Sequence, residues 1–332
     1  MALEGVRAAK AAYEAELFER RNVVGVAVGR KVVGGRETEE TCVVVYVDRK
    51  EVETRLRSRD VVPRSLDGVR TDVVQTGRFR ALPLLESLAV SHTARIRPAP
   101  GGVSIAHEKV TAGTLGVLVH RASGEAVILS NNHVLANSND ARKGDRILQP
   151  GPYDGGRPED AIAELDGFVR IQFSERDLGG LGRLLERALR PFLVPIGLDV
   201  RRLPSGKTNL VDAAIARPLA ADLVAPDILE IGRAAGTADA ALGMRVKKSG
   251  RTTGLTRGRV TALDASVEVD YGGKTAMFRS QVVSDILSRG GDSGSLIVDE
   301  SNRAVGLLFA GGTTTTILNP IAAVLTALEL RL

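Results

Sequence analysis

Apolar residues follow two rhythms along this chain. Over residues 2–21 they recur at three- and four-residue steps among Glu, Lys and Arg, which predicts an amphipathic helix. From residue 23 the pattern changes to short β-branched runs bounded by turn residues. Residues 23–28 and 42–47, joined through Gly34-Gly35, read as a hairpin, and residues 69–74 read as a third strand. Residues 1–82 are therefore expected to form a small α+β domain, with Gly25 and Gly29 as packing or bulge glycines. Residues 83–101, punctuated by Pro83, Pro98 and Pro100, read as a connector.

A second series of short strands follows, clearest at 116–119 and 126–129. Residues 178–192 interrupt it with a basic helical pattern carrying Arg183, Arg187 and Arg190. Strands are expected again at 228–231, 260–263, 267–269, 281–283, 295–298 and 304–309. Asn319-Pro320, followed by apolar residues at 321, 324, 325 and 328, predicts a C-terminal helix with Asn at its N-cap and Pro in its first turn. The strand series divides near residue 225, giving expected units at 102–225 and 226–332. Many glycines and few long helical patterns make this a mainly β protein.

The charge balance changes little in that picture. The net charge is +5 over 332 residues, with acids and bases interspersed and no block of five like charges, so no nucleic-acid surface is expected. No apolar run approaches the roughly 18 residues of a membrane span, and the acidic N-terminal segment is unlike a secretory signal. Cys42 is the sole cysteine, which excludes an internal disulfide and suits a reducing, cytoplasmic setting. No His, Cys and acid cluster has metal-ligand spacing, so neither metal nor cofactor is expected. Homo-oligomerisation is left open.

The candidate chemistry sits in Gly290-Gly291-Asp292-Ser293-Gly294-Ser295, just before the apolar 296–298. Flanking glycines allow a tight turn that aims backbone N–H groups at one point beside a hydroxyl, which is what acyl transfer needs. A serine nucleophile needs a base and an orienting acid. Of His92, His107, His120 and His133, only His133 follows a strand and a polar run, Ser130-Asn131-Asn132, and opens a short apolar turn. His107 is expected to face solvent and His120 to lie at a strand edge. Asp212 is a carboxylate within an apolar run, where a charge must be paired. Asp199, Asp222 and Asp227 occupy more polar settings.

The order His133, Asp212, Ser293 is one of three that serine hydrolases use. Gly291-Asp292-Ser293-Gly294-Ser295, Ser130-Asn131-Asn132-His133-Val134-Leu135 and Val211-Asp212-Ala213-Ala214-Ile215 resemble the catalytic signatures of trypsin-like serine peptidases. Residues 250–260 are similar to a hairpin in the second barrel of bacterial members. The whole chain resembles bacterial relatives of the plant NARROW LEAF 1 serine protease. The resemblance implies two six-stranded antiparallel barrels of the chymotrypsin type with the site between them. It implies a serine endopeptidase acting on protein or peptide, with Ser293 as nucleophile, His133 as base, Asp212 as orienting acid, and an oxyanion hole from the N–H groups of Gly291 and Ser293. The alternative is a latent or inactive scaffold on the same fold.

The resemblance also puts a pocket floor near Leu287 and a wall near Phe309, Ala310 and Gly311. This implies an apolar, uncharged P1 residue, although a shifted alignment onto Asp285 would revive a basic one. In digestive members the aspartate at position 292 pairs with a newly cut N-terminus. No such activation motif occurs near residue 100, so Asp292 is expected to find another partner.

Overall fold

The computed structural model describes residues 3–81, 90–174 and 208–332. The helix expected at 178–192 and part of the connector lie outside the described residues, as does Asp199. The fold is mainly β. No helix among the described residues is long and apolar enough to cross a membrane.

The N-terminal residues follow their two rhythms. Helix Leu3–Glu19 precedes strands Val23–Val33 and Arg36–Val47, and Val69–Gln75 pairs parallel to the second. Val6 and Leu17 of the helix pack on Val23, Val26, Val28, Val43 and Val45. The opposite face of the same strands carries Val24, Ala27, Val44 and Tyr46, which pack with Phe79, Val267, Phe278 and Phe309. Strand Val23–Val33 also pairs antiparallel with Gly254–Asp270. The N-terminal strands therefore continue a sheet of the C-terminal half. A Cβ on Gly29 would sit 3.0 Å from Thr261 O, so this approach is close enough to exclude a side chain there.

Two strand groups follow. In the first, six strands pair antiparallel in the order Val117–Arg121, Ala126–Ser130, Ala214–Pro218, Ala161–Phe168, Arg146–Leu148 and Ser104–His107. The two-residue strands Leu330–Arg331 and Gly113–Thr114 flank them. In the second, Arg245–Gly250, Leu296–Asp299, Ala304–Gly311, Thr316–Pro320, Thr275–Ser284 and Gly254–Asp270 pair in turn. The last pairs back to the first, closing a six-stranded antiparallel barrel. The hairpin expected at 250–260 is the junction of its Arg245–Gly250 and Gly254–Asp270 strands.

Three sequence expectations change. The strands expected at 260–263 and 267–269 are parts of one long strand, Gly254–Asp270. The polar break between them is absorbed by irregular pairing around Asp264, whose φ is +50°. The strand expected at 228–231 lies earlier, at Val224–Ile228. The C-terminal helix, Ile321–Leu328, begins from Pro320, because Asn319 lies in the preceding strand and directs its side chain elsewhere.

An apolar layer of Val117, Leu129, Val211 and Ile215 against Leu296, Val298, Leu307 and Val324 joins the two groups. Arg251 reinforces the junction. Its guanidinium is buried and forks onto Asp154, with Nε donating to Oδ2 at 2.9 Å and Nη2 to Oδ1. A buried guanidinium is tolerated only with such pairing, so the contact fixes how the groups dock.

Candidate active site

His133 leaves the end of strand Ala126–Ser130 on a single helical turn, Asn132–Leu135. Ser130, Asn131 and Asn132 before it are fully buried, and buried polar groups need partners. Ser130 Oγ donates to Thr114 O at 2.8 Å, Asn131 Nδ2 to Asp212 O at 2.7 Å, and Asn132 Nδ2 to Val169 O at 2.7 Å. The polar run thus staples down the segment that presents the histidine.

Asp212 is fully buried just ahead of strand Ala214–Pro218. His133 Nδ1–H donates to its Oδ2 at 2.6 Å, and the His133 backbone N–H donates to its Oδ1 at 3.3 Å. The Tyr271 hydroxyl donates to the same Oδ2 at 2.8 Å. Asn319 holds the Asp212 peptide on both sides, accepting from Asp212 N at 3.1 Å and donating to Asp212 O at 3.2 Å. With Nδ1 committed as a donor, Nε2 is the basic nitrogen of His133.

The glycine-rich turn is held by its carbonyls. Thr114 N donates to Ser293 O at 2.8 Å, Thr114 Oγ1 to Gly291 O at 2.7 Å, and Thr252 Oγ1 to Gly290 O at 2.6 Å. The N–H groups of Gly291 and Ser293 donate to no group among the described residues. Gly291 and Gly294 have φ of +98° and +95°, a region that favours glycine. A Cβ on Gly294 would also collide with Ser130 Oγ and Thr114 O.

Asp292 is fully buried beneath this turn. Its Oδ1 accepts from the backbone N–H groups of Thr252 (2.9 Å) and Thr253 (3.1 Å), and its Oδ2 from Thr253 Oγ1 (2.8 Å) and Arg289 N (2.9 Å). Lys248 Nζ stands 3.6 Å from Oδ2. Burial pulls the Lys248 pKa down, and the Asp292 charge opposes that pull.

His133 and Ser293 line one cavity of about 400 Å³, together with Arg80, Thr111, Ala112 and Tyr271. Among the described residues no hydrogen bond joins Ser293 Oγ to His133. The structure places the four expected specificity residues outside this lining: Leu287 is 56% exposed, while Phe309, Ala310 and Gly311 are buried in the strand Ala304–Gly311. Asp222 and Asp227 are exposed and away from the cavity.

The remaining histidines have local duties. His107, expected in solvent, is buried, because its Nε2–H finds Asp145 Oδ2 at 3.0 Å and its Nδ1 accepts from Lys109 N at 3.1 Å. His92 is buried between Gly102 O and Glu230. His120 is exposed on strand Val117–Arg121.

Sequence reasoning did not anticipate Thr114, Lys248, Tyr271 or Asn319. Tyr271 carries no sequence signal beyond an adjoining Gly272-Gly273 turn. Lys248 could have been suspected as a cation within an otherwise buried strand end.

No protein-family profile matches the chain, and no curated protein matches it. Among solved structures it is similar to Protease A of Thermobifida fusca, at 18% identity and a TM-score of 0.44 over 70% of this chain and 98% of that one. It is similar to Cellulomonas bogoriensis chymotrypsin, at 20% identity and 0.43 over 70% and 97%. It is also similar to a glutamic acid specific serine protease, at 21% identity and 0.46 over 70% and 100%.

Proposed function

We propose that this protein is a serine endopeptidase of the trypsin-like type. Ser293 Oγ attacks the scissile carbonyl while His133 Nε2 takes its proton and later returns it to the leaving amine. Asp212 fixes the imidazole tautomer and stabilises its cation without taking the proton. The N–H groups of Gly291 and Ser293, which meet no acceptor among the described residues, stabilise the oxyanion. The observation that carries this reading is the 2.6 Å His133–Asp212 contact beneath a cavity that His133 and Ser293 both line. A protein or peptide substrate with an uncharged P1 residue, and kinship with bacterial relatives of NARROW LEAF 1, are parts of the same proposal.

A fluorophosphonate probe tests it. Labelling at Ser293 that disappears in His133→Ala and Ser293→Ala supports the assignment. A folded wild-type protein that takes no label overturns it.

One observation favours latency as a second reading. Strand Phe79–Arg80 pairs parallel with the end of Gly254–Asp270 and antiparallel with Gly311. Leu308 of that strand exchanges backbone hydrogen bonds with the Ser293 turn, through Gly294 N and Ser295 O. The chain's own segment thus covers an edge beside the nucleophile to which an extended peptide would add as a strand. Under latency, a small fluorophosphonate labels Ser293 while a peptide-extended phosphonate does not.

A further inference from the structure

Tyr271 belongs to the turn between Gly254–Asp270 and Thr275–Ser284 of the C-terminal barrel. Its hydroxyl nevertheless ends on Asp212, the carboxylate beside His133 in the other strand group, at 2.8 Å. We propose that Tyr271 is a positioning residue for the acid–base pair, holding Asp212 Oδ2 in place and tempering the carboxylate's pull on His133. Its catalytic meaning rests on the protease reading, but its effect on His133 does not depend on turnover.

The carboxylate's donors set the argument. Asp212 is fully buried, and three groups donate to its oxygens: the His133 backbone, the His133 ring and Tyr271. Among the described residues no lysine or arginine pairs with it. Among the described residues Tyr271 is therefore the one donor independent of His133, and without it these contacts to the buried charge come from the histidine alone. The ring is fixed as well as the hydroxyl. It meets His133 edge-on at 5.8 Å and Phe173 at 5.5 Å, and its backbone N–H closes the turn onto Lys274 O at 2.8 Å. Burial, followed by the adjacent Asp212, pushes the phenol far above its usual range, so the hydroxyl keeps its proton and donates throughout the working pH range.

The direction of the effect follows from charge sharing. A donor that takes up part of the Asp212 charge leaves less of it to stabilise the imidazolium, so Tyr271 and the His133 ring compete for the same carboxylate oxygen. Removing the donor makes His133 easier to protonate. The other charged groups lining the cavity, Arg80 and Asp270, are the same in wild type and variant, so they cancel in the comparison.

The test compares wild type with Tyr271→Phe and with 2,3-difluorotyrosine placed at 271. One readout is the His133 ring titration by NMR, with its resonance assigned through His133→Gln. The other is the pH dependence of inactivation by diisopropyl fluorophosphate, a reagent too small to engage peptide subsites. In Tyr271→Phe the His133 midpoint should rise by about one pH unit, and the inactivation plateau should fall about tenfold. The difluoro variant, a stronger donor of the same shape, should move the midpoint down. An unchanged midpoint in Tyr271→Phe overturns the proposal. If that variant fails to fold, the difluoro variant decides: a midpoint that does not fall overturns it. Wild type that resists the reagent at every pH sinks the protease reading alone, and the titration still judges Tyr271.

Discussion

Lys248 Nζ lies 3.6 Å from Asp292 Oδ2 with neither side chain exposed to solvent. Lys248 also donates to Gly254 O at 3.0 Å and to Thr253 Oγ1. The aspartate preceding the candidate nucleophile thus has its counter-ion within the folded barrel. Lys248→Met strands the Asp292 charge in the interior. The expected cost is about 3–5 kcal/mol in urea denaturation. Fluorophosphonate labelling should slow even where the variant is fully folded, because Asp292 anchors the turn that carries Ser293.

Thr114 ties two carbonyls of that turn through its N–H and its hydroxyl. Its hydroxyl also accepts from Arg251 N at 3.0 Å. Thr114→Val keeps the backbone contact and removes the other two. A loss of about 1–3 kcal/mol in stability is expected, since both former partners are left buried. With Gly291 O released, the labelling rate of Ser293 should fall about tenfold or more. Equal rates in folded wild type and variant would show that the carbonyl tether does not set the donor geometry.

Gly294→Ala should be strongly destabilising. The position combines a φ of +95° with contacts to Ser130 Oγ and Thr114 O that leave no room for a Cβ. Strain and overpacking add, giving a loss of about 3 kcal/mol or more. Thermal unfolding followed by circular dichroism measures it.

Asp145 supplies a pH prediction. The Arg142 N–H holds its carboxyl below the usual range; burial opposes this, and the hydrogen bond with His107 adds to it. A depressed folded pKa means that the stabilisation is complete above about pH 4 and is lost as pH falls through the folded value. Asp145→Asn should therefore be less stable than wild type near pH 7. The gap in denaturant midpoints should close in strong acid, near about pH 2. A gap that persists or widens in acid would contradict the assignment.

Cys42 is fully buried between strands, and burial pushes its thiol pKa up to about 12. The thiolate is the reactive form. Iodoacetamide near neutral pH should leave the folded protein unmodified and alkylate Cys42 after unfolding in urea, as read by mass spectrometry.

The elements legible in the sequence were those whose signal is local. The two apolar rhythms marked the helix Leu3–Glu19 and the hairpin after it, and the glycines around Ser293 marked the turn. Asp212 stood out as a carboxylate within an apolar run, and His133 as the one histidine that follows a strand and the polar run Ser130-Asn131-Asn132. What stayed hidden depends on distant packing. Asn319 looks like a helix cap by its neighbours, yet the helix starts without it, because its amide is engaged by the Asp212 peptide 107 residues away. His107 looks like a surface residue until Asp145 is brought beside it. The break at Asp264 reads as a loop, since a bulge in a long strand and a turn between short ones share the same polar interruption. The expected wall residue Phe309 packs inward against Phe278, with ring centroids 4.7 Å apart.

The pairing of Val23–Val33 with Gly254–Asp270 has a consequence for biosynthesis. Gly25 meets Val267, and Lys10 reaches Ser266 Oγ at 3.1 Å. Strand Val23–Val33 therefore has no partner for this edge until more than two hundred further residues have been made. Over that interval the valine-rich hairpin is an open template for pairing with other chains. The pairing of this hairpin with Gly254–Asp270 must then wait for the later strand to be made. Conditions that slow elongation or crowd nascent chains should lower the yield of this protein well before they affect the stability of the finished molecule.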